Sequence, residues 1–458
     1  MDAGLSLAGL LCALLPCAAS PALSGDASAD TLVLSLEEAE ARALENHPLL
    51  EQPRVDVELS RAEAEEASGR RILPEFSLRN VWGPVPRQRG EFNEFGVLTS
   101  PDSVKEITDL RWFTDVQVQA LQPLYGFGKA GARLEAAESQ VDLREAELAT
   151  TEADVILQVR ELYWGLVLAH ELEDVAQDVL GRVAEADSTL EERFEEGEIT
   201  QNEMFKFEIF RYEAHRRNRE LQARAAEARA GLRAALGLPE GTPYRPAVTA
   251  LEPVEVELDS LETYLDAAVR NRPELSQLRA GIAARRSLVE AEERDRWPTL
   301  FAAAEFRINR APSRFDPENP FWRDETNFTR GGLLLGFEWE MNFLQHRNEA
   351  QVSRLEARRL EAQEGPLQER IRQEVRSAYL QARRARGDVE AGEEALQASE
   401  NWLRAELQTY DMGLGDVEEL IDAFRANAEM RTEQLENIAA FNNAVAELSR
   451  QVGRDMIR

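Results

Sequence analysis

The side chains most able to do chemistry in this chain are carboxylates. Glu418, Glu419 and Asp422 follow Gly413 closely, and Glu419 and Asp422, three residues apart, share one helix face. Gathered carboxylates can select or hold cations. A solvated acidic patch has the same spacing, and the sequence leaves both readings open. Glu195 and Glu196 form a second pair beside Gly197, with no His, Ser or Cys nucleophile near them. Acid–base and nucleophilic work needs such a partner, and no catalytic constellation of any type is present. The expectation is a protein that is not an enzyme.

Other chemical motifs are weaker. His47, His170, His215 and His346 are scattered, with no two at metal-ligand spacing. The only cysteines, Cys12 and Cys17, lie in the first 20 residues. If that segment is removed, no thiol remains for a disulfide, a zinc cluster or a nucleophile. Gly126 and Gly128 could cradle a phosphate, but no Lys-Ser/Thr pair follows them. Neither a metal nor a cofactor is expected. A backbone hinge is the better reading of these glycines. Tyr163, Trp164 and Tyr379, among leucines at helical spacing, read as packing between helices.

The elements that must position these residues are helices. Of 458 residues, 43% are hydrophobic and 30% charged, but only 7% are aromatic. Such usage marks long helices rather than sandwiches or doubly wound sheets. Asp and Glu number 85 against 53 Lys and Arg, a formal charge of −32. That excludes a nucleic-acid binder, which needs a basic surface to displace counterions. The only lysines are Lys105, Lys129 and Lys206.

Residues 1–29 read as a signal peptide. Leu5 to Ala19 is an apolar run, and Ala27-Ser28-Ala29 offers a small-residue cleavage site. Its start, Met1 to Gly4, carries no basic residue. Leu14 to Cys17 faintly resembles a lipoprotein box, but Pro16 departs from it. No later apolar run is long enough for a transmembrane helix.

The rest is a tandem repeat. Asn46-His47-Pro48 returns as Asn271-Arg272-Pro273, Tyr163 as Tyr379, and Gly197 as Gly413. Residues 30–238 form one unit and 259–458 the other, with a Pro-rich linker over 239–258. Each unit predicts a helix (Leu36 to Ile72; Ser260 to Arg296), a strand pair, a long helix (Lys129 to Phe194; Arg347 to Met412) and a return helix. The return helices end near Gly237 and Gly453. Each long helix spans about 100 Å at 1.5 Å per residue. Gly197 and Gly413 can take the left-handed conformation that ends a helix, so each long helix reverses into a hairpin there.

The strands alternate. In Asp115 to Ala120, Val116 and Val118 oppose Asp115, Gln117 and Gln119. Leu333, Leu335, Phe337, Trp339 and Met341 oppose Leu334, Gly336, Glu338 and Glu340. Ala302 to Asn309 and Phe76 to Arg79 behave alike. This suits an outer-membrane barrel with a wet lumen. A soluble sheet packed on helices alternates in the same way. Four strands cannot close a barrel, for which about eight are needed. An open edge cannot sit in lipid. The membrane reading therefore requires chains to pool strands, twelve in a trimer. Pro74, Pro123, Gly126, Gly128 and Pro298 mark the junctions of strands with helices. The reading from another class is a periplasmic coiled-coil scaffold without transport activity.

The order of motifs resembles the TolC-like outer-membrane efflux channel family. Leu36-Glu37-Glu38-Ala39 with Asn46-His47-Pro48 matches, as do Leu73-Pro74 and Gln122 to Lys129. So do Phe194-Glu195-Glu196-Gly197 and Tyr410-Asp411-Met412-Gly413 with Leu420. Asn342 to Arg347 departs from the family, which often has a Gly-bearing turn there. The resemblance implies a mainly α homotrimer with a small membrane β-barrel and a twelve-helix periplasmic tunnel. It implies an outer-membrane exit duct, docked to a periplasmic adaptor (membrane fusion) protein and an inner-membrane pump. It puts adaptor contact at the tips near Gly197 and Gly413, and an acidic selectivity constriction at Glu418, Glu419 and Asp422. It puts Val116, Val118, Leu335, Phe337 and Trp339 against lipid.

Overall fold

The computed structural model describes residues 31–86, 93–95, 97, 110–312, 321, 326–412 and 414–457. The expected signal segment, Gly413 and most of both long strand connections lie outside the described residues. The chain is mainly helical. Its order is β1 (Leu32–Leu34), α1 (Leu36–Asn46), α2 (Glu51–Ile72), β2 (Glu75–Pro86), β3 (Leu110–Tyr125), α3 (Lys129–Glu195) and α4 (Gln201–Ala235). Then come β4 (Tyr244–Pro246), α5 (Leu261–Asn271), α6 (Pro273–Arg294), β5 (Thr299–Arg310), β6 (Phe328–Glu338), α7 (Phe343–Asp411) and α8 (Val417–Val452).

The first helix of each unit is not continuous, and this corrects the sequence expectation. α1 starts on a capping box in which Ser35 and Glu38 each bond the other's backbone N–H. It stops at His47, which is extended (φ −65°, ψ 127°). Arg272 does the same at the end of α5 (φ −63°, ψ 121°). In both cases a proline follows. Its ring clashes with the preceding residue in the helical region and drives it extended. The apolar periodicity runs through both breaks, so it could not reveal them.

The long helices hold. α3 has 67 residues and α7 has 69. α7 begins at Phe343, four residues before the expected start, so the Asn342 junction needs no glycine. It also runs through Pro366. Gly365 and Pro366 are exposed, so water can satisfy the carbonyl that proline leaves unbonded.

Side by side, α4 packs on α3, α3 on α8, and α8 on α7. Nearer the strands, α2 packs on α3, α3 on α6, and α6 on α7. The four long strands form one antiparallel sheet in the order β2-β3-β5-β6. β1 and β4 make a separate parallel pair, tying the start of the chain to the 239–258 stretch. That stretch is strapped down. Asn442, fully buried on α8, accepts from Val254 N–H and donates to Glu252 O, both at 2.9 Å.

The core is a series of patches along the helices. One gathers Tyr163, Trp164, Leu166, Leu232 and Leu236 against α1. Tyr163 donates its hydroxyl to Leu34 O at 3.1 Å. The second unit has Tyr264, Leu275, Ile371 and Leu448, with Tyr379 packed beside Tyr264. Two arginines are buried with their counter-charges: Arg160 with Glu40 and Asp455, and Arg272 with Glu274 and Glu374.

Candidate functional site

Two places stand apart from this packing: the sheet, at one end of the long helices, and the hairpin tips, at the other. Register fixes the faces of the sheet. Leu78 pairs with Val118, and Val118 with Phe306; Asn80 pairs with Val116, and Val116 with Ile308. Ala302 pairs with Leu335 and Leu300 with Phe337. Val116, Val118, Leu335 and Phe337 therefore share one face with Phe76, Leu78, Trp82 and Phe306. This face is bare: Phe76 is 72% exposed, Leu333 87% and Leu335 82%. Among the described residues no helix is long and apolar enough to cross a membrane. Exposed apolar side chains also occur singly on the helices, such as Ile209 and Leu380, but on the sheet they line a whole face.

The opposite face is ionic. Arg307 donates two bonds to the Asp115 carboxylate, at 2.9 and 2.7 Å, and Gln117 donates to Glu305 at 3.0 Å. Toward the helices an apolar row, Leu121, Ala303 and Leu334, interrupts it. Neither edge strand, β2 nor β6, pairs further among the described residues.

Aromatic rings bracket the apolar face. Trp82 and Trp112 meet at 5.6 Å at the far end. At the helix end, Phe127 lies 4.9 Å from Tyr125 and 5.5 Å from Trp297. Trp339 follows the last residue of β6. Its indole N–H donates to Arg296 O at 3.0 Å and its ring meets Phe343 at 5.9 Å.

The junction residues occupy these turns. Leu73 is extended before Pro74, closing α2. The β3–β5 register shifts between Pro123 and Tyr125. Gly126 leads into a turn in which Phe127 (φ 53°) and Gly128 (φ 87°) are both left-handed, and Gly128 caps α3. Only glycine adopts this at no steric cost. Arg294 donates to Gly128 O at 2.9 Å, and Lys129 pairs with Asp295 at 2.7 Å. Pro298 stands just before β5.

At the tip, α3 ends at Glu195 and Gly197 turns the chain at φ 79°. Thr200 and Glu203 then start α4 with a capping box. The second hairpin closes through Leu414 N–H to Thr409 O, and Asp416 caps α8 by accepting from Glu418 N–H at 2.8 Å. Between the hairpins lies an apolar cluster that includes Leu190, Phe207, Phe210, Tyr410, Leu420, Ile421 and Phe424. Polar ties cross its surface. Lys206 pairs with Glu418, Arg425 with Glu213 at 2.8 Å, and the Arg193 guanidinium lies 4.6 Å from the Tyr410 ring centroid. The Glu418 carboxylate raises the pKa of the Lys206 ammonium. Burial raises the pKa of the Tyr410 hydroxyl, against the nearby charge of Arg193.

The three tip carboxylates thus differ. Glu418 is bonded to Lys206, and Asp422 lies 3.8 Å from Arg425. Glu419 is exposed and makes no ion pair among the described residues. Within one chain no group of His, Cys, Asp or Glu among the described residues could hold a metal ion. Cation binding there would need carboxylates from more than one chain.

Lys206, Arg193, Tyr410 and Arg425 carry the joint between the hairpins and were not singled out as site residues. A signal existed: of only three lysines, Lys129 and Lys206 sit at the junction and at the tip.

This is the architecture of a class: long helical hairpins continued by a half-bare, open-edged sheet. The model of the outer membrane efflux protein family matches residues 41–238. Known structures share the fold over nearly the whole chain. The CmeC outer membrane channel of Campylobacter jejuni matches with a TM-score of 0.72 at 12% identity, over 91% of this chain and 85% of that one. VceC of Vibrio cholerae gives 0.69 at 15%, over 92% and 96%. The open-state MtrE channel of Neisseria gonorrhoeae gives 0.71 at 15%, over 92% and 90%. No curated protein matches the chain in sequence. The chain is thus similar to the outer membrane efflux protein family over residues 41–238, and it shares the fold of these outer-membrane channels over nearly its whole length.

Proposed function

We propose that three copies of this chain form the passive exit duct of a tripartite efflux or type I secretion system. Each gives four strands to a twelve-stranded barrel in the outer membrane and its long helices to a periplasmic tunnel. The observation that carries this is the sheet, with its bare apolar face, its ionic face and its two unpaired edges. Lipid tolerates the first only if the edges are closed, and four strands cannot close on themselves. Strands of 11 to 16 residues are long enough to cross, since about 10 suffice when tilted.

The duct conducts through its wet interior and supplies no energy; an inner-membrane pump does, through a periplasmic adaptor. The hairpin tips near Gly197 and Gly413 are the adaptor's docking points. Opening separates α3–α4 from α7–α8, which breaks the Lys206–Glu418 and Arg425–Glu213 ties. Glu419 and Asp422 of three chains form the constriction, with a negative potential that favours cations.

Envelope fractionation followed by native mass measurement tests this. The protein should leave the envelope only with detergent and carry the mass of three chains. Release by salt or alkali alone, as a monomer, would refute it.

A further inference from the structure

Between the sheet and the tips, α8 ends where α6 begins, and both ends lie beside the middle of α3. α8 stops because Gly453 takes the left-handed conformation (φ 68°). There it closes on the end of α5, where a Cβ on Gly453 would come within 3.0 Å of the Asn271 carbonyl. The facing residues of α3 include Ala149 and Ala153, too small to fill the gap. A cavity of about 310 Å³ remains, at the lower end of the range for small-molecule sites. It lies roughly 60 Å of helix from the tip and roughly 35 Å from the sheet, at 1.5 Å per residue. No residue of the lateral helices α2, α4 and α7 lines it, so copies packed side by side through those helices leave it open.

Two buried polar groups on its wall lack a partner. Arg450, its side chain 9% exposed, donates from Nε to Asp154 at 2.6 Å and from Nη2 to Glu274 at 2.9 Å. Its Nη1 is buried and donates to nothing among the described residues. The adjoining Ser449 hydroxyl is buried and unbonded as well. Native interiors seldom leave such groups unpaired, because each then carries its full desolvation penalty. The surroundings set the charge of the missing acceptor. Arg450 already holds two carboxylates, and Arg160, on the same wall, holds Glu40 and Asp455. A further anion would be repelled by all four; a neutral oxygen would not. Ile156, Leu157 and Ala446 give the cavity an apolar side.

We propose that this cavity binds compact apolar molecules that carry one neutral carbonyl acceptor, as ketones, esters and amides do. The carbonyl oxygen accepts from Arg450 Nη1 and from the Ser449 hydroxyl, and the apolar body packs against Ala153, Ile156, Leu157 and Ala446. A charge-assisted N–H is the stronger of the two anchors. Because α3 and α8 belong to different hairpins, a bound molecule also ties the hairpins together, far from the tip. The site is complete within one chain and does not depend on how many copies assemble.

Camphor, a rigid bicyclic ketone, is the probe, and bornane, the same skeleton without the carbonyl, is its control. Equilibrium dialysis against the full-length protein held in amphipol, with empty amphipol subtracted, reads saturable binding. Camphor should saturate at one molecule per chain. Bornane should bind about tenfold more weakly or worse, the loss expected for one charge-assisted bond. Ser449→Ala should weaken camphor by about threefold, as for a neutral bond, and leave bornane unchanged. Ala153→Phe fills the cavity and should abolish saturable binding of both. An unfolding temperature no lower than that of the natural protein shows that a variant folds, and the camphor–bornane comparison needs no variant at all. No saturable camphor binding, equal binding of bornane, or binding that survives Ala153→Phe overturns the site. The duct reading stands under each of these outcomes.

Discussion

The two ends of the molecule solve the same problem in opposite ways. At the tip, apolar side chains from two hairpins, more than two hundred residues apart in sequence, bury one another. Phe210 and Phe424 stack with centroids 6.4 Å apart, and ion pairs seal the rim. At the sheet, apolar side chains of similar size stand open, with Leu335 at 82% exposure. One end is finished within a single chain; at the other, the apolar face stays uncovered and both edge strands stay unpaired among the described residues. The same alternation or periodicity can therefore build either a core or a surface. What separates the two is whether a second element lies over the apolar face.

Four perturbations should sharpen that contrast. The largest effect belongs to Phe424→Ala, which opens a cavity in the tip cluster at a cost of about 3–5 kcal/mol. Amide hydrogen exchange over residues 197–206 should accelerate by roughly two to three orders of magnitude, with the sheet unaffected. Equal acceleration at both ends would mean that the tip is not a separate unit.

Next is Leu335→Arg, which places a charge on the bare face. At the bilayer midplane this costs about 2–4 kcal/mol, and the membrane-assembled fraction after a urea wash should fall accordingly. Ser77→Arg, on the ionic face, should leave that fraction intact. If both behave alike, the face assignment is wrong.

Alkaline pH should loosen the tip alone. The Lys206 ammonium has its pKa raised by Glu418, so its stabilising contribution is full below the unfolded value of about 10.4 and disappears as pH rises through the folded one. Tyr410, also raised, acts in the same direction: its unfolded form ionises first, favouring the open state. Channel conductance measured across this range should climb in the natural protein. In Lys206→Gln it should start higher and climb less.

Smallest is the effect of Glu419→Gln with Asp422→Asn. Cation preference, read as a reversal potential in a salt gradient, should fall modestly and vanish as a difference near 1 M salt, where the screening length is about 3 Å. Glu393→Gln with Glu394→Gln, on exposed α7, is the control. Glu361 and Glu364 would be poor controls because Arg286 and Arg279 hold them.

Much of the fold was legible because its signals are local. Period-two alternation in Val116 to Ala120 and in Leu333 to Phe337 marks strands that β3 and β6 contain, and the repeated Asn-x-Pro motif lies where α1 and α5 both end. The helix breaks at His47 and Arg272 stayed hidden because the apolar stripe continues across them. β1 and β4, three residues each, are too short to show a period. The tip was legible only as a place. Its carboxylates could be named, but Lys206 and Glu418 stand 212 positions apart, and no local pattern pairs them. Gly197 takes the left-handed turn expected of it.

Single-channel recording from detergent-extracted protein, inserted into a planar bilayer, tests the central claim most directly. A trimeric duct closed by its tips predicts discrete, uniform steps of low conductance. Lys206→Gln combined with Arg425→Gln, which removes the ties between hairpins, should enlarge those steps severalfold. Inserted protein that gives no steps, or steps of one size in both forms, would contradict the account.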